Sequence, residues 1–193
     1  MRIDLWFTLL YSVFLIVALT TRFLRIKKTR ELPKQKGTVY RKHLFKVMFV
    51  LYLLIVICTV TEYFVVFREV NYFVSLLGFI MYLGIIPVRN WAINALGKFM
   101  SEDIEIRPDH KLNREGPYKY ARHPLLACLV LELTGFVLIP NSYYSLLPVF
   151  IIYVPLVVLR KNLEEKFLVK KFGDEYLAYK RDVWAFLPVR KLS

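Results

Sequence analysis

The sequence predicts an all-α integral membrane protein with five transmembrane helices, of which the last two form a tight hairpin. Three observations carry this prediction. The 193 residues are 57% hydrophobic, the apolar residues gather in long runs with almost no charge, and Lys and Arg gather between alternate runs. A helix needs about 20 apolar residues to cross about 30 Å of hydrocarbon, so such runs indicate membrane spans.

Five apolar runs supply the predicted helices: Leu5–Thr21, Val47–Phe67, Val70–Val88, Pro124–Pro140 and Ser142–Leu159. No small-x-small cleavage site follows the first run, so we expect a retained helix rather than a secretory signal. The fourth and fifth runs are short and are joined by Pro140-Asn141-Ser142, which predicts the hairpin. Whether they cross the full bilayer or only part of it stays open, and in both cases the ends of the hairpin return to the cytoplasmic side.

The basic residues predict the orientation of the chain. Of the 28 Lys and Arg, 26 fall in the segments 22–46, 89–122 and 160–191. The positive-inside rule therefore places the N-terminus outside or in the lumen and the C-terminus in the cytoplasm. The formal net charge of +13 is explained by insertion topology and by anionic lipid headgroups, so we expect membrane lipids and no nucleic acid as partners.

The cysteines and histidines predict no metal site. Cys58 and Cys128 lie inside apolar runs, where cysteine usually acts as a small hydrophobic residue. His43, His110 and His123 lie far apart and share no ligand spacing. No internal repeat or Gly-rich phosphate loop is present, which disfavours a transporter of duplicated halves and a nucleotide-hydrolysing module.

Polar residues that topology does not explain gather in two predicted cytoplasmic segments next to the hairpin. In the first, Pro124 is suited to begin a helix. Arg122 and His123 then stand at a helix N-terminus, where free N–H groups and the helix dipole favour an anion. The alternative is that both side chains only reach from the hairpin to the membrane interface.

In the second segment, Arg160 and Glu164 are four residues apart and share one helix face where the fifth run ends. Such a pair suits a ligand with both a carboxylate and an ammonium group, although a surface ion pair is the alternative. Gly173 is expected to end this helix, and Asp174 to cap a second short helix.

These segments together resemble the isoprenylcysteine carboxyl methyltransferase family. The resemblance rests on Gly116-Pro117-Tyr118-x-x-x-Arg122-His123-Pro124, Arg160-x-x-x-Glu164-Glu165 and Phe172-Gly173-Asp174-Glu175-Tyr176-x-x-Tyr179, with Arg89-x-Trp91-Ala92, Leu96-Gly97 and His110-x-Leu112 as further matches. It extends from Arg89 to Pro188, and the first three runs match only as hydrophobic spans. We therefore expect one membrane domain, with three helices in residues 1–88 and a methyltransferase core in residues 89–193.

The resemblance implies a membrane enzyme that transfers a methyl group from S-adenosylmethionine to a lipophilic or prenylated acceptor and leaves S-adenosylhomocysteine. It favours O-methylation of an isoprenylcysteine-like carboxylate and implies that the cytoplasmic helical segments bind the cofactor. By position, Arg160 and Glu164 would be catalytic, and Arg160 would orient the acceptor carboxylate. The implied cofactor pocket comprises His110, Leu112, Gly116, Tyr118, Arg122, His123, Pro124 and Glu164 or Glu165.

Two residues depart from the family's pattern and are expected, with Arg160, on the acceptor's side. Leu126 stands where the family often has Tyr, and Glu132 lies in the fourth run, where the family usually has an apolar residue. An acid at that depth is costly unless it is paired or protonated. Glu132 therefore either recognises an amine on the acceptor or pairs with another buried polar group.

Three other functions stay open. Phospholipid or lipid-amine N-methylation needs a base to remove the ammonium proton, for which Glu132 or Glu165 would have to serve. A nicotinamide-dependent membrane reductase would need further basic residues for a cofactor phosphate. A non-catalytic scaffold or small transporter would not need the charges of Arg160, Glu164 and Glu165. The acceptor, the host membrane and the oligomeric state are left open.

Overall fold

A computed structural model of the chain describes residues 4–31, 38–39, 43–66, 68–101, 105–106 and 112–186. These residues are almost entirely helical, as predicted. The helices are α1 (Leu5–Glu31), α2 (Leu44–Val65), α3 (Tyr72–Leu96), α4 (Pro124–Leu138), α5 (Tyr143–Phe172) and α6 (Asp174–Asp182), with 3₁₀ turns at Gly97–Phe99 and Gly116–Lys119.

A short strand pair was not predicted. The strands β1 (Thr38–Val39) and β2 (Glu105–Ile106) are antiparallel, with Thr38 opposite Ile106. They join the connection between α1 and α2 to the connection between α3 and α4. Two-residue strands are too short to give a period-2 pattern in the sequence.

Four helices in the described part of the chain are long and apolar enough to cross a membrane, rather than the five predicted. They are Leu5–Leu24 of α1, α2, α3 and α5. The fourth apolar run forms only the 15-residue helix α4, which at 1.5 Å per residue extends about 22 Å. This length is less than the thickness of a typical hydrocarbon core.

Several helices extend beyond the apolar runs that predicted them. α1 continues past Thr21 to Glu31, α3 passes Val88, and α5 continues through a charged stretch to Phe172. An apolar run shows only which part of a helix lies in the hydrocarbon. The backbone hydrogen bonds of the helix continue beyond that part into the aqueous layer. The expected division after residue 88 therefore falls within α3.

Buried polar side chains fix the tight turn between α4 and α5. Asn141 has a φ of 59°, a left-handed conformation that Asn tolerates better than most residues. Its side chain accepts a hydrogen bond from the Asn71 N–H at 2.6 Å and donates one to Ser75 Oγ at 2.8 Å. Glu62 of α2 accepts from the backbone N–H and the hydroxyl of Ser145, both at 2.8 Å. This acid at the start of α5 complements the helix dipole.

Helices α3 and α4 approach each other closely at two glycines, Gly78 and Gly135. A Cβ atom on Gly78 would lie 2.8 Å from both the Gly135 carbonyl oxygen and the Ile139 nitrogen. Small residues allow two membrane helices to approach in this way, so van der Waals contact replaces the hydrophobic driving force that lipid does not supply. The contact holds α3 and α4 together near the turn at Asn141.

We expect Gly78→Ala to destabilise the protein by about 1–3 kcal/mol, because the added methyl group would overlap backbone atoms of α4 and the two helices would have to move apart. Gly84→Ala in the same helix is the matched control, since a Cβ there meets no atom within 4 Å. Thermal unfolding in detergent measures both variants. Equal melting temperatures for the two would contradict the packing described.

Candidate active site

A cleft opens between α4, α5, α6 and the segment that precedes α4. It encloses about 930 Å³ when the space open to solvent is included. Its walls combine aromatic and aliphatic side chains with a few charged ones. The lining residues are Leu96, Phe99, Ser101, Leu112, Asn113, Tyr118, Arg122, His123, Leu125, Leu126, Arg160, Glu164, Phe167, Leu168, Tyr176 and Tyr179.

The segment before α4 is shaped by Gly116 and Pro124. Gly116 has a φ of 57°, and a Cβ there would lie 3.1 Å from Trp91 Nε1 and from the Ala95 Cβ. The turn can therefore pack against α3 only with glycine at this position. Pro124 begins α4, as predicted. Neither residue lines the cleft. Both instead determine the path of the backbone that leads into α4.

Arg160 and Glu164 face the cleft from α5, one turn apart. The Arg160 residue is 8% exposed, and its Nη1 lies 3.7 Å from the Met48 sulfur of α2. The Glu164 side chain is 36% exposed. The cation therefore lies deeper in the protein and the acid nearer to solvent, so the two residues present opposite charges to the cleft.

Three tyrosines form an aromatic part of the wall. Burial raises the pKa of the Tyr179 phenol to about 12, and burial also raises the pKa values of Tyr118 and Tyr176 above their usual range. The Tyr179 hydroxyl donates to the Tyr118 carbonyl oxygen at 2.5 Å. All three phenols therefore stay protonated at neutral pH and serve as walls and donors rather than as bases.

The backbone N–H groups of the two residues directly before α4 are used inside the protein. The backbone N–H groups of Arg122 and His123 donate to the carbonyl oxygens of Trp184 and Ala185, at 2.9 and 2.8 Å. The C-terminal segment runs alongside residues 121–123 and takes up both donors. The side chains of Arg122 and His123 line the cleft.

Glu165 lies behind the cleft rather than in its lining. Its carboxylate is 2.7 Å from Arg122 Nη2 and 2.9 Å from Lys180 Nζ, and His123 Nε2 is 3.3 Å away. The acid is thus engaged by three basic side chains of the protein. Of the two acids that the family resemblance offered for the cofactor, Glu164 is the one that faces the cleft.

Glu132 pairs with two arginines between the membrane helices. Its side chain is 1% exposed and lies 3.1 Å from Arg22 Nη1, and it also contacts the guanidinium group of Arg89. The Arg22 guanidinium stacks over the Tyr52 ring at 3.6 Å. Of the two roles considered for Glu132, the structure therefore supports the pairing with other buried polar groups.

The predicted site residues divide into two sets. Those that line the cleft are Leu112, Tyr118, Arg122, His123, Leu126, Arg160 and Glu164. Gly116, Pro124, Glu132 and Glu165 are described but lie outside this lining, and His110 lies outside the described residues. No cluster of three or more possible metal ligands occurs within the ranges that the structure describes.

Sequence reasoning missed most of the apolar wall. Tyr176 and Tyr179 belong to the motif that carried the resemblance, and their spacing of three places them on one face of α6. That signal was available. Phe99 and Ser101 come from the end of a 3₁₀ turn and the loop after it, where no periodic pattern predicts which side chain faces a ligand.

Comparison with known proteins gives three similarities. The sequence model of the isoprenylcysteine carboxyl methyltransferase (ICMT) family matches residues 74–170, just over half of the chain. Uncharacterized protein YpbQ of Bacillus subtilis (strain 168) is 32% identical over 81 residues, 42% of this chain and 48% of that protein. The solved structure of the eukaryotic intramembrane Ras methyltransferase ICMT is similar with a TM-score of 0.54 and 20% identity, over 80% of this chain and 56% of that one. The matches thus span about half the length of each relative, and the structural likeness concerns the fold.

We expect Glu132→Gln to destabilise the protein more than Arg22→Gln. The first change leaves two buried guanidinium groups without their carboxylate, which costs about 3–5 kcal/mol, whereas the second leaves a neutral pair of Arg89 and Glu132. Thermal unfolding in detergent measures both, with Glu69→Gln as an exposed control. A larger loss from Arg22→Gln would contradict the pairing described.

Proposed function

Because the chain belongs to the isoprenylcysteine carboxyl methyltransferase family, we propose that this membrane methyltransferase transfers the methyl group of S-adenosylmethionine to a lipophilic carboxylate. The observation that carries the proposal is that Arg160 and Glu164, one helical turn apart on α5, both line the same cleft beside aromatic and aliphatic side chains. The cleft lies at the end of α5, where the spanning helix passes from apolar to charged residues. A ligand there would lie near the boundary between the aqueous layer and the hydrocarbon.

The cleft has the side chains that S-adenosylmethionine requires. The cofactor has an amino-acid end with charges of both signs, an adenine ring and a positive sulfur. Glu164 is the acid that would hold the ammonium group, whereas the amide of Asn113 in the same cleft already donates to the Ala95 carbonyl oxygen and accepts from the Glu115 N–H. The rings of Phe99, Tyr176 and Tyr179 offer an aromatic wall for a flat base.

Arg160 would orient the acceptor carboxylate, since it lies deeper in the protein than Glu164. When bound, S-adenosylmethionine supplies a methyl group already activated by the positive sulfur, so a carboxylate acceptor needs no general base. The protein's contribution is then alignment of the two reactants and exclusion of water. The phenols of Tyr118 and Tyr179 stay protonated and do not act as bases, which agrees with a reaction that needs no general base.

The charged residues Arg22, Arg89 and Glu132, which lie between the membrane helices beyond the cleft, favour an anionic acceptor. Glu132 lies two helical turns, about 10 Å, beyond the cleft residue Leu125 on α4. Arg89 lies the same distance before Leu96 on α3. Within the described residues, Arg22 and Arg89 share the single carboxylate of Glu132, so the cluster has one positive charge in excess. A carboxylate is attracted to this region in a medium of low dielectric constant, and an ammonium group is repelled.

This arrangement disfavours methylation of a lipid amine. Glu132 is neutralised by two arginines, and Glu165 is engaged by Arg122, His123 and Lys180. Neither acid is therefore placed to take a proton from an ammonium group. The family name and the Ras methyltransferase with a similar fold support an isoprenylcysteine-like acceptor.

We further propose that the cleft faces the cytoplasm, where the concentration of Lys and Arg places the segments around it. A thiol label at Glu175→Cys, an exposed position on α6, should react in intact cells only after permeabilisation. A label at Glu69→Cys, which follows the C-terminal end of α2, should react without permeabilisation. The reverse pattern would contradict this orientation and would turn the cleft away from cytosolic S-adenosylmethionine.

We expect S-adenosylhomocysteine to bind the purified protein and to raise its melting temperature by mass action. Glu164→Gln should raise the dissociation constant about tenfold or more, because it removes the charge that faces the ammonium group. Arg160→Ala should leave the dissociation constant near the wild-type value and lower methyl transfer.

Titration calorimetry with S-adenosylhomocysteine measures the affinities, and Lys161→Ala, a neighbouring positive residue outside the cleft lining, is the control. Failure of the folded wild-type protein to bind would contradict the methyltransferase proposal. Equal losses of affinity in the Glu164 and Arg160 variants would contradict the separate roles given to them.

A further inference from the structure

Glu165 connects two parts of the cleft wall without being in the lining itself. The residue is 4% exposed. It accepts hydrogen bonds from Arg122 at 2.7 and 3.1 Å and contacts His123 Nε2 at 3.3 Å. Arg122 and His123 both line the cleft, so the carboxylate behind them fixes the positions of two wall residues.

Arg122 uses its guanidinium group inside the protein. Nε and Nη2 donate to Glu165, and Nη1 donates to the carbonyl oxygens of Lys180, at 3.2 Å, and Val183. These two carbonyl groups lie at the C-terminal end of α6, where the helix has unpaired acceptors and a partial negative charge. Arg122 is therefore a cap of α6 that is held in place by Glu165.

Lys180 completes the connection from the other side. Its Nζ lies 2.9 Å from the second oxygen of Glu165, and its side chain is 46% exposed. The same helix supplies Tyr176 and Tyr179 to the cleft wall. One carboxylate on α5 thus binds a cation from the α4 side and a cation from α6.

Other polar contacts also join α6 to the segment before α4. The buried Tyr179 hydroxyl donates to the Tyr118 carbonyl oxygen at 2.5 Å, and Arg114 donates to the Glu175 carbonyl oxygen at 2.7 Å. Arg114 pairs with Glu175 at 3.7 Å, and their side chains are 42% and 59% exposed. Exposed pairs of this kind contribute about 0–1 kcal/mol. Buried pairs differ, because removal of one partner leaves an uncompensated charge away from water.

We infer that Glu165 is a positioning residue that latches α6 across the cofactor cleft and so sets the affinity for the cofactor without contacting it. The inference rests on the function proposed above. Without the carboxylate, Arg122 is left buried without a counter-ion. Its contacts with α6 loosen, and the Tyr176 and Tyr179 side of the cleft moves away from the Arg160 side.

The test is calorimetric titration of the full chain in detergent with S-adenosylhomocysteine. We expect Glu165→Gln to raise the dissociation constant about tenfold or more at an unchanged stoichiometry. Lys180→Gln removes only the half-exposed partner of Glu165. It should raise the dissociation constant about threefold, with little risk to folding. Lys166→Gln, a neighbouring exposed lysine on α5, is the control and should not change it.

Trypsin gives a second readout, because Lys180 and Arg181 are exposed cleavage sites on α6. If α6 closes the cleft, S-adenosylhomocysteine should slow cleavage there in the wild type, since coupling between binding and closure is reciprocal. Glu165→Gln should be cleaved faster than the wild type in the absence of ligand.

A purely structural role would give a different result: a lower stoichiometry and melting temperature for Glu165→Gln, with an unchanged dissociation constant in the folded fraction. That result would overturn the latch, as would cleavage at α6 that the ligand does not slow. A folded wild type that does not bind S-adenosylhomocysteine would overturn the proposed function together with the latch. Binding by the wild type with an unchanged affinity in both variants would overturn the latch alone.

Discussion

A charged side chain between membrane helices is stable only where an opposite charge and hydrogen bonds replace the water it has lost. This constraint governs the interior of the protein. Glu132 joins α4 to Arg22 of α1 and Arg89 of α3. Glu165 joins α5 to the start of α4 and to α6. In each case one carboxylate binds basic residues from different helices, so the charges specify which helices meet.

The cleft lies between these two ionic clusters, and its own charges differ from theirs. Arg160 and Glu164 face into the cleft on one helix face, and the Glu164 side chain keeps partial access to solvent. An acid that is partly exposed can exchange solvent for a ligand at low cost, whereas the acid of Glu165 is committed to the protein. The adjacent glutamates of one motif thus have opposite surroundings, and we assign ligand contact to one and positioning to the other.

The sequence predicted the features that depend on local spacing. The apolar runs gave the helices, and Pro124 and Gly173 gave a correct start and a correct end. Arg160 and Glu164 were found because residues four apart share a helix face. Hydropathy alone did not predict that the run Pro124–Pro140 forms only a 15-residue helix, because an apolar run does not show where the helical hydrogen bonds end.

Features that depend on distant contacts were not predictable from one sequence. The partners Arg22 and Glu132 are 110 positions apart, and Arg122 and Glu165 are 43 apart. No spacing rule connects such residues. The surroundings of Glu165 and the use of the Arg122 and His123 N–H groups by the C-terminal segment therefore became apparent only in the folded structure.

The most direct test of the central claim, that this cleft methylates a lipophilic carboxylate, is transfer of a labelled methyl group from S-adenosylmethionine by the purified protein. The acceptors to compare are an S-prenylated N-acetylcysteine, its carboxamide, which has no anion, and an aminophospholipid. We predict label in the free acid alone, in a base-labile ester. Label in the aminophospholipid or the carboxamide, or no transfer to the acid by protein that binds S-adenosylhomocysteine, would contradict the account.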